Sequence, residues 1–202
     1  DLGAFVKSAV STGHLKAFKK VQLSDIYMIC VPTPFYENGN TPEPNIDYVL
    51  SATKSIAPFI KSGDLIILES TSPVGTTEKI QQTLIDFGIN LKDVHIAYCP
   101  ERVLPGKIMM EIVENDRIVG GLASISTKEI ADFYRMFVNG DIFETDAKTA
   151  EMCKLAENSF RDLNVAFANE LSIICDKQGI NVWNLIKLAN KHPRVNILQP
   201  GT

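Results

Sequence analysis

The sequence predicts an α/β fold, a parallel sheet followed by a purely helical region. Two observations carry this prediction. Through residues 1–146, short β-branched runs alternate with helical patterns of roughly ten to fifteen residues, the signature of βαβ units. Beyond that point the strand pattern stops, which divides the chain into 1–146 and 147–202.

A helical pattern over 3–10 opens the chain, and YMICV predicts a strand over 27–31. VPTPF leads out of that strand. Its two prolines stiffen the loop and present Thr33 from a rigid backbone; the alternative is a proline-rich turn and nothing more. A helical pattern over 46–60 then leads to LIILE, a strand over 65–69. The hydroxyl-rich stretch after it, with Thr71 and Ser72, precedes Pro73, and a helix is predicted over 74–87. Ser72 is a candidate N-cap there, with proline suited to the first helical position. The same geometry suits a ligand, because helix N-termini with hydroxyls hold phosphates or polarise a water.

HIAY predicts a strand over 95–98, and CPERVLPG follows it. Glu101 and Arg102 are either a surface ion pair of little worth or a general base beside a phosphate clamp. Strands over 117–120 and 142–145 flank a helix over 127–138.

The longest helical signal covers 147–177, with no Gly or Pro until Gly179. At full length it spans about 45 Å, too long for a lone surface helix of an ordinary domain. Lys154, Asn158 and Arg161 stand at i, i+4 and i+7 and share one face. Leu163, Ala166, Phe167, Leu171 and Ile174 form an apolar stripe on another. The polar face is either solvated or a site for an anionic, oxygen-rich ligand. A last helix is predicted over 182–190, followed by a loop with His192 and Arg194 whose role spacing does not reveal.

Composition narrows the function classes. Of 202 residues, 45% are hydrophobic and 22% charged, without the polar bias of a disordered chain. A net charge of −4 and a pI near 5.4 lack the basic footprint of a nucleic-acid binder. No apolar run reaches the length of a membrane span, and the first residues, DLGAFVKSAVSTG, lack the regions of a signal peptide. A cytoplasmic protein with neither nucleic-acid nor membrane partners is expected. Cys30, Cys99, Cys153 and Cys175 show no CxxC spacing and no metal-site grouping with His14, His95 or His192, so four reduced thiols and no metal are expected.

No GxGxxG motif is present, and Gly120-Gly121 lacks its spacing. Several blocks, in order, nevertheless resemble the UDP-glucose/GDP-mannose dehydrogenase family, which oxidises a UDP-sugar alcohol to the acid with two NAD. They are VPTPF (31–35), ESTSPVGTTEKI (69–80), AYCPERVLPG (97–106), AEMCKLAENSFRDLNVAFANE (150–170) and NKHPRVNILQPG (190–201). CPERVLPG and NKHPRVNILQPG are typical of the branch acting on UDP-N-acetyl-D-mannosamine. UDP-glucose members usually read NPEFLAEG, where this chain has Arg102 in place of Phe and Pro105 in place of the second Glu.

The resemblance implies roles for matching residues. Lys154 and Asn158 hold the oxyanion of tetrahedral intermediates and position a water. Glu101 acts as general base in thioester hydrolysis, with Thr71 helping to hold the water. Thr33 and Thr71 contact NAD. Arg102, Val103 and Arg161 contact the UDP-sugar, together with Lys154 and Asn158, and the 190–201 segment brings His192 and Arg194 to it. The helix over 147–178 forms a homodimer core.

The resemblance also implies a partial Rossmann-like sheet, its first βαβ unit lying before residue 1. The catalytic thiolate would lie in a GxGGxC segment beyond residue 202, so this internal piece is expected to be inactive by itself. In the strand order 3-2-1-4-5-6, the strand over 27–31 counts as strand 3 and that over 65–69 as strand 4. A gap at the sheet centre would result, closed either by setting the two side by side or by pairing edges across a dimer. The alternative function is a non-catalytic dimerising or nucleotide-sugar-binding protein on the same scaffold.

Overall fold

The computed structural model describes residues 2–36, 41–104 and 106–201 and divides into two compact units, 1–153 and 154–202. In the first unit, five strands form one sheet: β1 (Ile26–Ile29), β4 (Leu65–Leu68), β5 (His95–Tyr98), β6 (Arg117–Gly121) and β7 (Ile142–Asp146), side by side in that order. A two-stranded hairpin, β2 (Phe35–Tyr36) and β3 (Glu43–Pro44), follows β1.

Strand β4 shows why these runs become strands. Its four residues are all apolar, with Ile66 and Leu68 turned to one face and Ile67 to the other. The first face is covered by α2 (Asp47–Ile56) and α3 (Thr76–Asp86), through Val49, Ile56, Ile80 and Leu84. The second is covered by α5 (Ser124–Arg135), through Ile130, Ala131 and Tyr134. A strand covered on both sides needs an unbroken apolar run rather than an alternating one.

Strand β1 pairs directly with β4 in parallel, Ile26 opposite Leu65 through Ile29 opposite Leu68. The two strands thus lie side by side, the first of the two expected ways of closing the gap. Three successive parallel strands side by side, β1, β4 and β5, fit positions 4-5-6 of the 3-2-1-4-5-6 order.

The sheet is not wholly parallel. Strand β6 runs antiparallel to β5 through Ala97–Gly121 and Tyr98–Gly120, and β7 is parallel to β6. Among its described residues, the link from β5 to β6 carries only the short helix α4 (Ile108–Glu114), absent from the sequence prediction. Gly120 and Gly121 owe their place to packing. A Cβ on Gly120 would lie 2.4 Å from the Asp146 carbonyl oxygen and 2.6 Å from Ala150 Cβ, and one on Gly121 would lie 2.5 Å from the Thr127 nitrogen.

Helix boundaries shift for local reasons. The α-helix expected over 46–60 ends at Ile56 and continues as a 3₁₀ turn, Ala57–Phe59, because Pro58 has no N–H to donate. Helix α3 starts at Thr76 rather than 74, since Gly75 sits at its N-cap with φ of 92°. Ser72 does not cap it. The Ser72 hydroxyl donates instead to the Ser70 carbonyl at 2.9 Å.

Helix α6 (Ala147–Gln178) crosses the boundary between the units. Asp146 caps it, accepting the Thr149 N–H at 2.9 Å and the Thr149 hydroxyl at 2.6 Å. In the second unit, Ala168 and Cys175 of α6 pack on Val182 and Ile186 of α7 (Val182–Ala189), joined by Leu171, Leu185 and Ile197. Asn181 caps α7 through the Asn184 N–H, at 3.0 Å.

Candidate functional site

In the first unit the candidate residues lie where an open parallel sheet collects them, beyond the strand C-terminal ends. The loops after β1 and β4 are fastened together by hydroxyls. Ser70 Oγ accepts the Val31 N–H at 2.8 Å and donates to the Val31 carbonyl at 2.7 Å. Thr33 Oγ1 donates to the Thr71 carbonyl at 2.6 Å. Thr33 and Thr71 are thus brought together, half-buried, and the Thr71 hydroxyl is uncommitted among the described residues.

The loop after β5 is held by α4. Val103 N–H donates to the Glu101 carboxylate, and Leu104 N–H donates to Glu111 Oε2 at 2.7 Å. Asn115 Nδ2 donates to the Arg102 carbonyl at 3.1 Å, while Arg102 Nη1 donates to the Asp116 carbonyl at 3.2 Å. Glu101, Arg102 and Val103 therefore share one shaped loop.

Sequence reasoning missed Glu151. Its carboxylate is fully buried, and it completes the N-terminus of α3 from another helix. Oε2 accepts the Gly75 N–H at 2.6 Å; Oε1 accepts the Thr77 N–H at 2.8 Å and the Thr77 hydroxyl at 2.7 Å. A negative charge there meets the positive end of the helix dipole. Lys148, one turn earlier in α6, bridges Glu78 at 2.9 Å. Together they tie the first turn of α6 to the helix that follows the Thr71 loop.

A second network lies at the same strand ends. Glu69 accepts the Cys30 thiol at 3.3 Å and the Tyr134 hydroxyl at 2.8 Å. Burial of the sulfur, then the charge of Glu69 and its hydrogen bond, push the Cys30 thiol up to about 12. Burial raises Cys99 to about 12 as well, although Tyr134 and Arg117 beside it pull the other way. Tyr134 is held far above its ordinary range by burial and by Cys99 and Glu69. Neither thiol has thiolate character, so neither is an activated nucleophile. All four cysteines are free.

In the second unit, Lys154 and Asn158 sit half-buried on α6 and Arg161 is exposed. The Asn158 amide and the Arg161 guanidinium make no hydrogen bond among the described residues. His192 and Arg194 are exposed in the strap after α7, where the Arg194 N–H donates to His192 Nδ1 at 3.3 Å. The apolar stripe of α6 is largely uncovered, with Leu163 71%, Phe167 53% and Ile174 55% exposed, and Phe160 adds to it at 69%. Among the described residues no group of three or more His, Cys, Asp or Glu side chains is placed to hold a metal, and no helix is long and apolar enough to cross a membrane.

Residues 1–138 match the NAD-binding domain of the UDP-glucose/GDP-mannose dehydrogenase family, and residues 148–202 match its central domain. The chain belongs to that family. It is 54% identical to a UDP-N-acetyl-D-mannosamine dehydrogenase of Yersinia pestis, over all of this chain and 49% of the relative. It is 51% identical to an NDP-N-acetyl-D-galactosaminuronic acid dehydrogenase of Ralstonia solanacearum, with the same coverage. Among solved structures, a UDP-D-ManNAc dehydrogenase from Pyrococcus horikoshii superimposes with a TM-score of 0.89 at 42% identity, over 96% of this chain and 47% of that one. The chain spans about half the length of the curated relatives it matches. The fold is accordingly α/β and Rossmann-like.

Proposed function

We propose that this chain supplies the NAD-binding and central portions of an NAD-dependent UDP-N-acetyl-D-mannosamine 6-dehydrogenase. What supports the reading is that Thr33, Thr71, Glu101, Lys154 and Asn158 occur together on a chain 54% identical, over its whole length and 49% of the relative, to a UDP-N-acetyl-D-mannosamine dehydrogenase. NAD, when bound, accepts hydride from the sugar carbon being oxidised. Thr33 and Thr71 would hold it, their paired loops offering hydroxyls from a rigid frame. Glu101 would take a proton from the attacking water, with Thr71 orienting that water. Lys154 and Asn158, one turn apart on α6, would stabilise charge on the substrate oxygen. Arg102, Val103, Arg161, His192 and Arg194 would grip the UDP-sugar, with the guanidiniums suited to its phosphates. A homodimer through α6 would cover the exposed stripe. Four free cysteines support a cytoplasmic location.

The test is NAD reduction by the gene product that carries this segment, with UDP-N-acetyl-D-mannosamine as substrate. Two NAD are expected per sugar, and Lys154→Ala should lower kcat about 10²–10³-fold, the usual cost of one oxyanion donor. The 202-residue chain alone should show no reduction, and an undiminished rate in Lys154→Ala would sink the assigned role. The Ralstonia relative supports a second reading, an N-acetylgalactosamine nucleotide as substrate. Faster turnover of that sugar would favour it.

A further inference from the structure

The strap after α7 lacks regular secondary structure, yet two asparagine amides fix it in place. Asn190 Nδ2 donates to the Ile197 carbonyl at 2.9 Å, and its Oδ1 accepts the Ile197 N–H at 2.8 Å. Asn169 on α6 repeats the pattern on Gly201: Nδ2 donates to the carbonyl at 2.8 Å and Oδ1 accepts the N–H at 2.9 Å. Each amide takes both backbone groups of one residue, which satisfies a donor and an acceptor at once and admits a single orientation. Ile197 also packs against the α6–α7 core, so that point is held by apolar contact as well. Residues 198–200 lie between the two clamps. A cleft of about 530 Å³ opens there, lined on α6 by Arg161, Asp162, Val165 and Asn169 among others and by Leu198 and Gln199 of the strap.

We propose that Asn169 and Asn190 are positioning residues of the nucleotide-sugar site. They hold the strap ordered before substrate arrives, so that His192 and Arg194, and the Arg161 wall of the cleft, are presented without an ordering step. A segment with two prolines and few apolar anchors would otherwise sample open states, and apparent affinity falls with the fraction of molecules in the competent state. The role in substrate binding rests on the proposed function; the clamps themselves rest on geometry alone.

Two measurements separate these layers. Amide exchange of Ile197 and Gly201 should accelerate about 30-fold in Asn190→Ala and Asn169→Ala respectively, the factor for losing two net hydrogen bonds. Helix α7 amides serve as the internal control, and Asn169→Asp, which keeps the acceptor for the Gly201 N–H, should recover part of the protection. In the gene product carrying this segment, both alanine variants should raise KM for the UDP-sugar at least about threefold while kcat changes little. Unaltered exchange overturns the clamps. Faster exchange with unchanged KM overturns the positioning role. Wild-type protein inert towards every UDP-sugar overturns the nucleotide-sugar reading and leaves the clamps to the exchange result.

Discussion

Replacing Glu151 tests how the first unit is tied together. Glu151→Ala removes the acceptor from two backbone N–H groups and one hydroxyl, all at 2.6–2.8 Å in a fully buried position. Hydrogen bonds to a charged group are worth about 1.5–3 kcal/mol each, and a buried donor left unsatisfied costs about 1–3 kcal/mol. Water entering the space left by the side chain recovers part of that loss, so the net expectation is about 3–5 kcal/mol. This is a large share of the roughly 5–15 kcal/mol that holds a domain folded. At about 2–4 °C per kcal/mol for a unit of this size, the melting temperature should fall by about 10 °C. Glu151→Gln should fall in between, because its NH₂ must face one of the donors. The assay is urea unfolding followed by far-UV circular dichroism, with Trp183, the single tryptophan, as a separate fluorescence probe in the second unit. A loss below about 1 kcal/mol in Glu151→Ala would refute the capping role.

Two further outcomes are expected. Cys30 should react slowly with iodoacetamide at pH 8, because a thiol raised to about 12 is almost wholly protonated there, and Glu69→Gln should speed it by removing the adjacent charge. The sign for stability follows: the folded thiol titrates above the unfolded one, so its contribution is complete below the ordinary 9.0 and is lost as pH rises towards about 12. A Cys30 labelled as fast as an unfolded thiol would contradict the Glu69 contact. Leu163→Asp with Phe167→Asp should shift the protein towards monomer in sedimentation velocity, since both side chains lie on the uncovered face of α6; an unchanged mass would rule that face out as the dimer contact.

The elements that could be read from the sequence are those whose signal is local. LIIL and HIAY are too apolar and too short to be anything but covered strands, and α6 declares itself through thirty-two residues free of breakers. The reversed direction of β6 left no such trace, because strand direction depends on how the intervening link crosses the sheet. Helix α4 was hidden in a loop already occupied by functional candidates. The left-handed Gly75 displaced both the helix start and the expected Ser72 cap, a backbone choice that hydroxyl-rich composition obscured.

The candidate site divides along the same line. The candidates Thr33, Thr71, Glu101, Lys154 and Asn158 stand out in sequence because polar side chains at strand ends and on one helical face are the pattern a ligand site would need. The residues that hold them do not stand out. Glu151 reaches Thr77 across 74 positions, Ser70 reaches Val31 across 39, and Asn169 reaches Gly201 across 32. Each is an ordinary polar residue whose neighbours in sequence say nothing about its partner. A glutamate in the second turn of a long helix reads as a solvated charge until burial is known, and burial without three donors would be prohibitive. Substitutions in this supporting layer should therefore act on the candidate residues through stability and position, as in Glu151→Ala.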